Sequence, residues 1–242
     1  LSIESVERKA FRAWPALETL ESHGWVQRFA DGYTKRANSI NALAPDSPFT
    51  SDIKDALEAP YKARGLPPVW RLTPLAPPDA DKILAADGYR RLDESFVQVA
   101  AIDRRFAADP EVQIAPSPSP AWLAAFAEQS PVAPAHRGTM ARMLASIAAP
   151  VCFAHVGDAE GPIAFALGVA DGEHVGVFDV LVAPRARRRG LARRLTCSIV
   201  AWGRTRGARL AYLQVVATNA AALPLYRSLG FETVYSYAYR VP

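Results

Sequence analysis

Arginines crowd one short stretch of this chain: Arg185, Arg187, Arg188 and Arg189 precede Gly190, and Arg193 and Arg194 follow it. Before them, the β-rich run Val175–Val182 is stopped by Pro184, since proline cannot donate to a sheet ladder. After them, Leu191, Leu195, Ile199 and Trp202 recur at helical spacing. Strand, glycine turn and helix N-terminus together make a pocket of unpaired N–H groups at the positive end of a helix dipole. Such a pocket binds an anion, most readily a phosphate. Gly190 and Ala192 carry almost no side chain, so a pyrophosphate can approach the backbone closely. Arg187, Arg188, Arg189 and Arg193 add fork-shaped donors around it. A run of arginines is more commonly a solvated face, or a nucleic-acid patch. The position between a β run and an amphipathic helix argues against both. The turn matches neither the Walker pattern nor Gly-x-Gly-x-x-Gly.

A second block follows the apolar run Leu210–Val216: Asn219-Ala-Ala-Ala-Leu-Pro-Leu-Tyr226-Arg-Ser-Leu-Gly230-Phe231. Asn219 is a natural N-cap, and Ala222, Leu225, Tyr226 and Leu229 share one helical face. In an arbitrary helix Tyr226 would be a core aromatic with a satisfied hydroxyl. The two blocks together resemble the GNAT superfamily of acyl-CoA N-acyltransferases. Arg187-x-x-Gly190-x-Ala192 is similar to its Arg/Gln-x-x-Gly-x-Gly/Ala pyrophosphate loop. The second block is similar to its Asn-x-x-Ala-x-x-Leu-Tyr-x-x-x-Gly-Phe segment. The resemblance covers about residues 120–242. Pro224 departs from it, in the first turns of the helix, where it removes a hydrogen bond and delays or kinks the start.

The resemblance implies an α/β fold with a GNAT-like mixed, mostly antiparallel central sheet flanked by helices. It also implies N-acetyltransferase activity, with acetyl-CoA as co-substrate and a primary amine of a small molecule or peptide as acceptor, attacking directly in a ternary complex. Val180, Leu181 and Val182 would hold the pantetheine as an added strand, with a nearby N–H at the acyl oxygen. Arg187, Arg188, Arg189, Gly190, Leu191, Ala192 and Arg193 would hold the pyrophosphate, with Asn219 touching the cofactor. Tyr226 would be the general acid to the CoA sulfur, protonated at neutral pH as that role requires. Ribosomal-protein acetyltransferases resembling this block carry a glutamate where this chain has Gln214, which cannot take a proton. Asp179 is therefore the first candidate base, with Glu173, His155 and His174 behind it. A rival reading is a non-catalytic acyl-CoA sensor or interaction module using the same loop.

The elements that must position these residues follow from the apolar pattern. Helices are expected at Ser2–Trp14, Asp52–Arg64, Asp79–Ala86, Ala121–Glu128 and Arg137–Ile147. A hairpin is expected around Asp31-Gly32, between Trp25–Ala30 and Tyr33–Ile40. Val69–Leu72 and Phe96–Ile102 read as strands. Val151–Val156, Ile163–Ala170 and Val175–Val182 read as an antiparallel meander. A helix over Leu191–Arg206, a strand over Leu210–Val216, a helix over Ala220–Leu229 and a strand over Thr233–Arg240 complete the chain. Ala115-Pro-Ser-Pro-Ser-Pro120 reads as a stiff connector. The expected organisation is a first domain over residues 1–105, a linker over 106–119 and a catalytic domain over 120–242. An internal echo supports two related halves: adding 142 maps Gly65 to Gly207, Trp70 to Tyr212 and Gly88 to Gly230. The first half lacks both an Arg-x-x-Gly-x-Ala loop and an equivalent of Tyr226. It therefore reads as a degenerate GNAT-like domain that shapes the acceptor cleft.

At 242 residues, with half of them apolar and a formal net charge of +4, the composition is that of a globular protein. The small positive excess suits an anionic ligand and does not argue for nucleic acid. Two cysteines make no disulfide framework, so Cys152 and Cys197 are expected as buried free thiols. The four histidines form no cluster with metal-ligand spacing, so no metal is expected. Neither a secretory signal nor an apolar run near 20 residues is present, which points to a cytoplasmic monomer or homodimer without membrane contact.

Overall fold

Ser2 caps the first helix by accepting a hydrogen bond from the Ser5 N–H at 3.2 Å, and α1 (Ile3–Ala13) turns Val6, Ala10 and Ala13 inward. The computed structural model describes residues 2–130 and 132–242. β1 (Glu18–Ser22) and β2 (Trp25–Phe29) follow as a hairpin around His23-Gly24, whose φ angles of 54° and 77° are those of a two-residue hairpin turn. The expected hairpin around Asp31-Gly32 is not formed. Asp31 and Gly32 also have positive φ, but the chain beyond them wraps around the Asn38 side chain. Asn38 accepts from the N–H groups of Ala30 and Gly32 and donates to the carbonyls of Tyr33 and Thr34. A satisfied buried amide thus replaces the ladder, and the short β3 (Ile40–Ala42) pairs with β2 only afterwards.

α2 (Ser51–Ala63), β4 (Trp70–Leu72), α3 (Pro78–Ala86) and β5 (Arg90–Ala101) complete the first half. The stretch 106–119 lies against the second half. Phe106 is fully buried, and β6 (Gln113–Ala115) forms a sheet edge beside β7 (Val151–Asp158). α4 (Pro120–Gln129) and α5 (Arg137–Ala145) precede β7, which continues into β8 (Gly161–Asp171) and β9 (His174–Val182) as an antiparallel meander. α6 (Leu191–Arg204), β10 (Leu210–Val216), α7 (Ala222–Ser228) and β11 (Glu232–Val241) end the chain.

All eleven strands of the described residues join one sheet, in the order β1-β2-β3-β4-β11-β5-β10-β9-β8-β7-β6. Only β3–β4 and β9–β10 are parallel; the other neighbours are antiparallel. This is the mixed, mostly antiparallel α/β sheet expected from the sequence. The last strand of each half is exchanged: β5 pairs with β10 of the second half, and β11 pairs with β4 of the first. The two exchanged strands pair with each other at the centre. The echo offset by 142 lays α3 on α7 and β5 on β11. Its paired glycines all have positive φ, at 66° and 90° for Gly65 and Gly207 and at 86° and 83° for Gly88 and Gly230. Each lies just past a helix, where only a residue without Cβ is unstrained.

Three apolar clusters hold the layers. Val6, Trp122, Phe126, Met140 and Met143 cover one sheet face beneath α1, α4 and α5. Leu191, Leu195, Ile199 and Leu229 cover the other beneath α6 and α7. Trp25, Leu57, Tyr61 and Trp70 form the core of the first half under α2 and α3.

Candidate active site

The parallel pairing of β9 with β10 stops at Val177 opposite Leu213, although β9 runs on to Val182 and β10 to Val216. A β-bulge in β9 marks the separation. Phe165 faces Leu181 and Leu167 faces Phe178, so Asp179 and Val180 together oppose Ala166. Asp179 takes the extra turn with φ of 48°, and such a bulge bends its strand. The strands therefore splay into a V, and a cleft of about 1030 Å³ opens between them.

At the outer end of this cleft stands the N-terminus of α6. Gly190 is its N-cap, left-handed with φ of 74°, and offers no side chain to the helix amides. The first main-chain bond closing the helix runs from the Arg194 N–H to the Gly190 carbonyl. The N–H groups of Leu191, Ala192 and Arg193 thus have no intrahelical partner and lie where the dipole is positive. A Cβ at Gly190 would meet nothing within 4 Å, so the loop faces open space. The equivalent helix of the first half is closed differently: the Thr50 hydroxyl accepts from the Ile53 N–H at 3.3 Å and occupies the N-terminus of α2.

The arginines divide by partner. Arg187, Arg188 and Arg193 line the cleft, and Arg193 also donates to the Ser228 hydroxyl at 2.9 Å. Arg185 turns away to Asp158 and Glu160, and Arg194 to Asp109 and Glu111. Of the loop residues singled out in the sequence, Arg189 does not line the cleft; Gly190, Leu191 and Ala192 do, as do Val180, Leu181 and Val182.

Tyr226 reaches the cleft from α7. Its ring packs edge-on against Phe231 at 5.8 Å, and among the described residues its hydroxyl has no hydrogen-bond partner. Burial pushes its pKa up to about 12, because the surroundings disfavour a phenolate. Asn219 Oδ1 accepts from the N–H of Ala222, the first residue of this helix, at 3.1 Å, and Asn219 lines the cleft as well. The helix begins at Ala222, later than the expected Ala220. Pro224 then falls in the first turn, where its missing N–H has no helical acceptor to lose.

The opposite end of the cleft is built in part by residues that the motifs do not reveal. Arg36 and Ser95 enter from the first half, and Tyr237 comes from β11. Arg36 Nη2 donates to Asp179 Oδ1 at 2.8 Å, and the guanidinium lies over the Trp14 ring at 4.7 Å. The Tyr237 hydroxyl donates to Gln214 Oε1 at 2.9 Å. The remaining candidate bases lie elsewhere. Glu173 is exposed beside Arg209, and neither His155 nor His174 lines the cleft; burial lowers the pKa of both.

Comparison with known proteins meets this geometry. Residues 2–240 match the family described as "Probable histone acetyltransferase Rv0428c C-terminal". The chain belongs to this acetyltransferase family of the GNAT superfamily. It is 30% identical to the Mycobacterium tuberculosis protein named "Probable histone acetyltransferase Rv0428c", over 96% of this chain and 71% of that protein. It is 28% identical to "Uncharacterized N-acetyltransferase YobR" of Bacillus subtilis, over 99% of this chain and 98% of that protein. Among solved structures, a GCN5-related N-acetyltransferase from Kribbella flavida superposes with a TM-score of 0.67. It is 16% identical and matches 98% of this chain and 94% of its own. A tandem GNAT protein from the clavulanic acid biosynthesis pathway superposes with a TM-score of 0.64 at 12% identity, over 98% and 87% of the two chains. The fold expected from the two motifs is therefore that of the family, and its activity is N-acetyl transfer to an amine. The non-catalytic alternative gains no support from these relatives.

Proposed function

We propose that this GNAT protein transfers the acetyl group of acetyl-CoA to a primary amine of a small molecule or peptide, by direct attack in a ternary complex. One observation carries the reading: the uncapped helix N-terminus at Gly190 and Tyr226, whose hydroxyl has no partner among the described residues, line the same cleft. Acetyl-CoA fits the donor set, with its pyrophosphate on the amides of Leu191, Ala192 and Arg193 among Arg187, Arg188 and Arg193. Arg189 is set aside as a minor contributor, since it does not line the cleft. Val180, Leu181 and Val182, on the stretch of β9 that has left β10, would take the pantetheine as a neighbouring strand. The thioester supplies an activated acetyl group with a thiolate leaving group.

This chain's own residues do the rest. Tyr226 gives its proton to the departing sulfur. Asp179, with Oδ2 not used by Arg36, takes the proton that the amine nitrogen sheds as its bond to the acetyl carbon forms. Gln214, held by Tyr237, contributes a polar wall and no base. The first half, with a capped α2 in place of an open helix end, binds no CoA and serves as the degenerate partner that lines the acceptor side. Relatives are named for a histone and for the alanine of ribosomal protein bS18, the latter 41% identical over 28% of this chain. For this chain the class is a primary amine. Two buried free cysteines, and no helix among the described residues long and apolar enough to cross a membrane, support a cytoplasmic place.

The test is amine-dependent release of CoA thiol from acetyl-CoA, with the acetylated product weighed by mass spectrometry. Release that requires both a primary amine and Tyr226 is expected. Acetyl-CoA binding without turnover, across a broad amine panel, would favour the sensor.

A further inference from the structure

The wall of the cleft beside Asp179 holds more positive charge than its carboxylates balance. Of three arginines from the first half, Arg36 lines the cleft itself, and Arg28 and Arg71 line a small cavity behind it, against Glu7 and Asp179. Glu7 is taken by Arg71 in a buried two-point pair, and Asp179 by Arg36. Arg28 is left over. It is buried, and among the described residues its guanidinium donates to the carbonyls of Phe11, Trp14 and Arg36 and meets no carboxylate. A buried cation without a counter-ion is costly, and burial together with the charge of Arg71 drives its pKa down to about 9. Directly in front of it, Arg36 faces the cleft. Trp14 and Asp179 fix that guanidinium, yet among the described residues its Nε and Nη1 have no hydrogen-bond partner. A small cavity behind Arg36, Phe178 and Gln214 is lined by Arg28 and by Arg71, whose Nε is buried and unpartnered.

We infer that the acceptor is an amine that also carries an anionic oxygen group, a carboxylate or phosphate, which the free donors of Arg36 bind while the amine lies at Asp179. The inference rests on the acetyl-transfer reading and names its substrate class. The Arg36–Asp179 pair presents a positive and a negative group side by side, the complement of a molecule with an amine and an anion a few bonds apart. A planar guanidinium held against an indole loses little freedom on binding a second oxyanion, and its fork suits either anion. An unmodified lysine side chain in a peptide would leave these donors unused.

Steady-state acetylation across matched acceptors tests this: amino acids, their C-terminal amides, aminoalkyl phosphates of similar length, and a lysine peptide. Rates are corrected for the fraction of neutral amine. The wild-type enzyme should favour the anionic members by about 10–100-fold in kcat/KM, mainly through KM, as expected for loss of one charged hydrogen-bond pair. Comparison of carboxylate with phosphate identifies the anion. In Arg36→Gln the ratio of anionic to neutral acceptor should collapse to within about threefold of unity, whatever happens to the absolute rate. Equal or better use of the amides or the lysine peptide by wild type would overturn the inference and leave acetyl transfer intact. A preference that survives Arg36→Gln would remove Arg36 from recognition. Acetylation of no amine would overturn the underlying reading as well.

Discussion

In the proposed mechanism Tyr226 acts through a proton that its surroundings keep in place. Burial against Phe231 holds the phenol neutral, with a pKa pushed to about 12, so the acid stays loaded throughout the range in which an amine loses its proton. Activity should therefore rise from pH 7 towards 9 as the acceptor is deprotonated, with no alkaline fall from Tyr226 below its own pKa. Tyr226→Phe keeps the ring and removes the donor. Loss of a general acid costs about 10²–10⁴-fold, and the low end is expected here because a thiolate leaves readily. The fall should appear in kcat with little change in acetyl-CoA affinity. Activity within twofold of wild type would remove Tyr226 from the mechanism. Gly190, Asn219 and Tyr226 stand out in the sequence because each sits in a contiguous pattern set by one turn or one helix. Arg36 does not, since its contact with Asp179 spans 143 residues and depends on how the halves dock.

At the scale of elements, the site depends on a bulge, two helix ends and close packing behind them. α6 lies so near β9 that a Cβ on Gly203 would come within 2.5 Å of the Val175 Cβ. Gly203→Ala gains about 1 kcal/mol of helix propensity. Overpacking against a β-branched residue on a central strand costs about 1–3 kcal/mol. The expected outcome is a lower Tm, which Val175→Ala does not recover, because the nearest atom, the Cβ, remains. Equal stability of Gly203→Ala and wild type would contradict this account of how α6 is seated. The helices and the meander were legible from apolar period and caps. The first hairpin was misplaced because Asp31-Gly32 carries the same turn residues as a true hairpin; only the buried Asn38 side chain decides against it. The bulge at Asp179 left no local mark, since aspartate, though enriched at positive φ, adopts it in only a minority of cases and the apolar pattern around it reads as unbroken strand.

At the scale of the molecule, the exchange of β5 and β11 ties the halves into one sheet and brings Arg36 and Ser95 to a cleft whose donor side belongs to the second half. The paired glycines and the shared order of helix, strand, helix and strand can be read from the sequence. The exchange cannot, because no local pattern in β5 or β11 says which half supplies its partner, and only the assembled sheet shows it. The central claim is that the two halves share an ancestry of form but only one retains an open helix end for a pyrophosphate. Calorimetric titration of the full chain with acetyl-CoA tests it most directly, alongside Gly190→Val, which places a β-branched residue at a φ of 74° over the anion site. One molecule bound per chain, with binding abolished in a Gly190→Val protein that remains folded, is the predicted result. Two molecules per chain, or unchanged affinity in Gly190→Val, would contradict it.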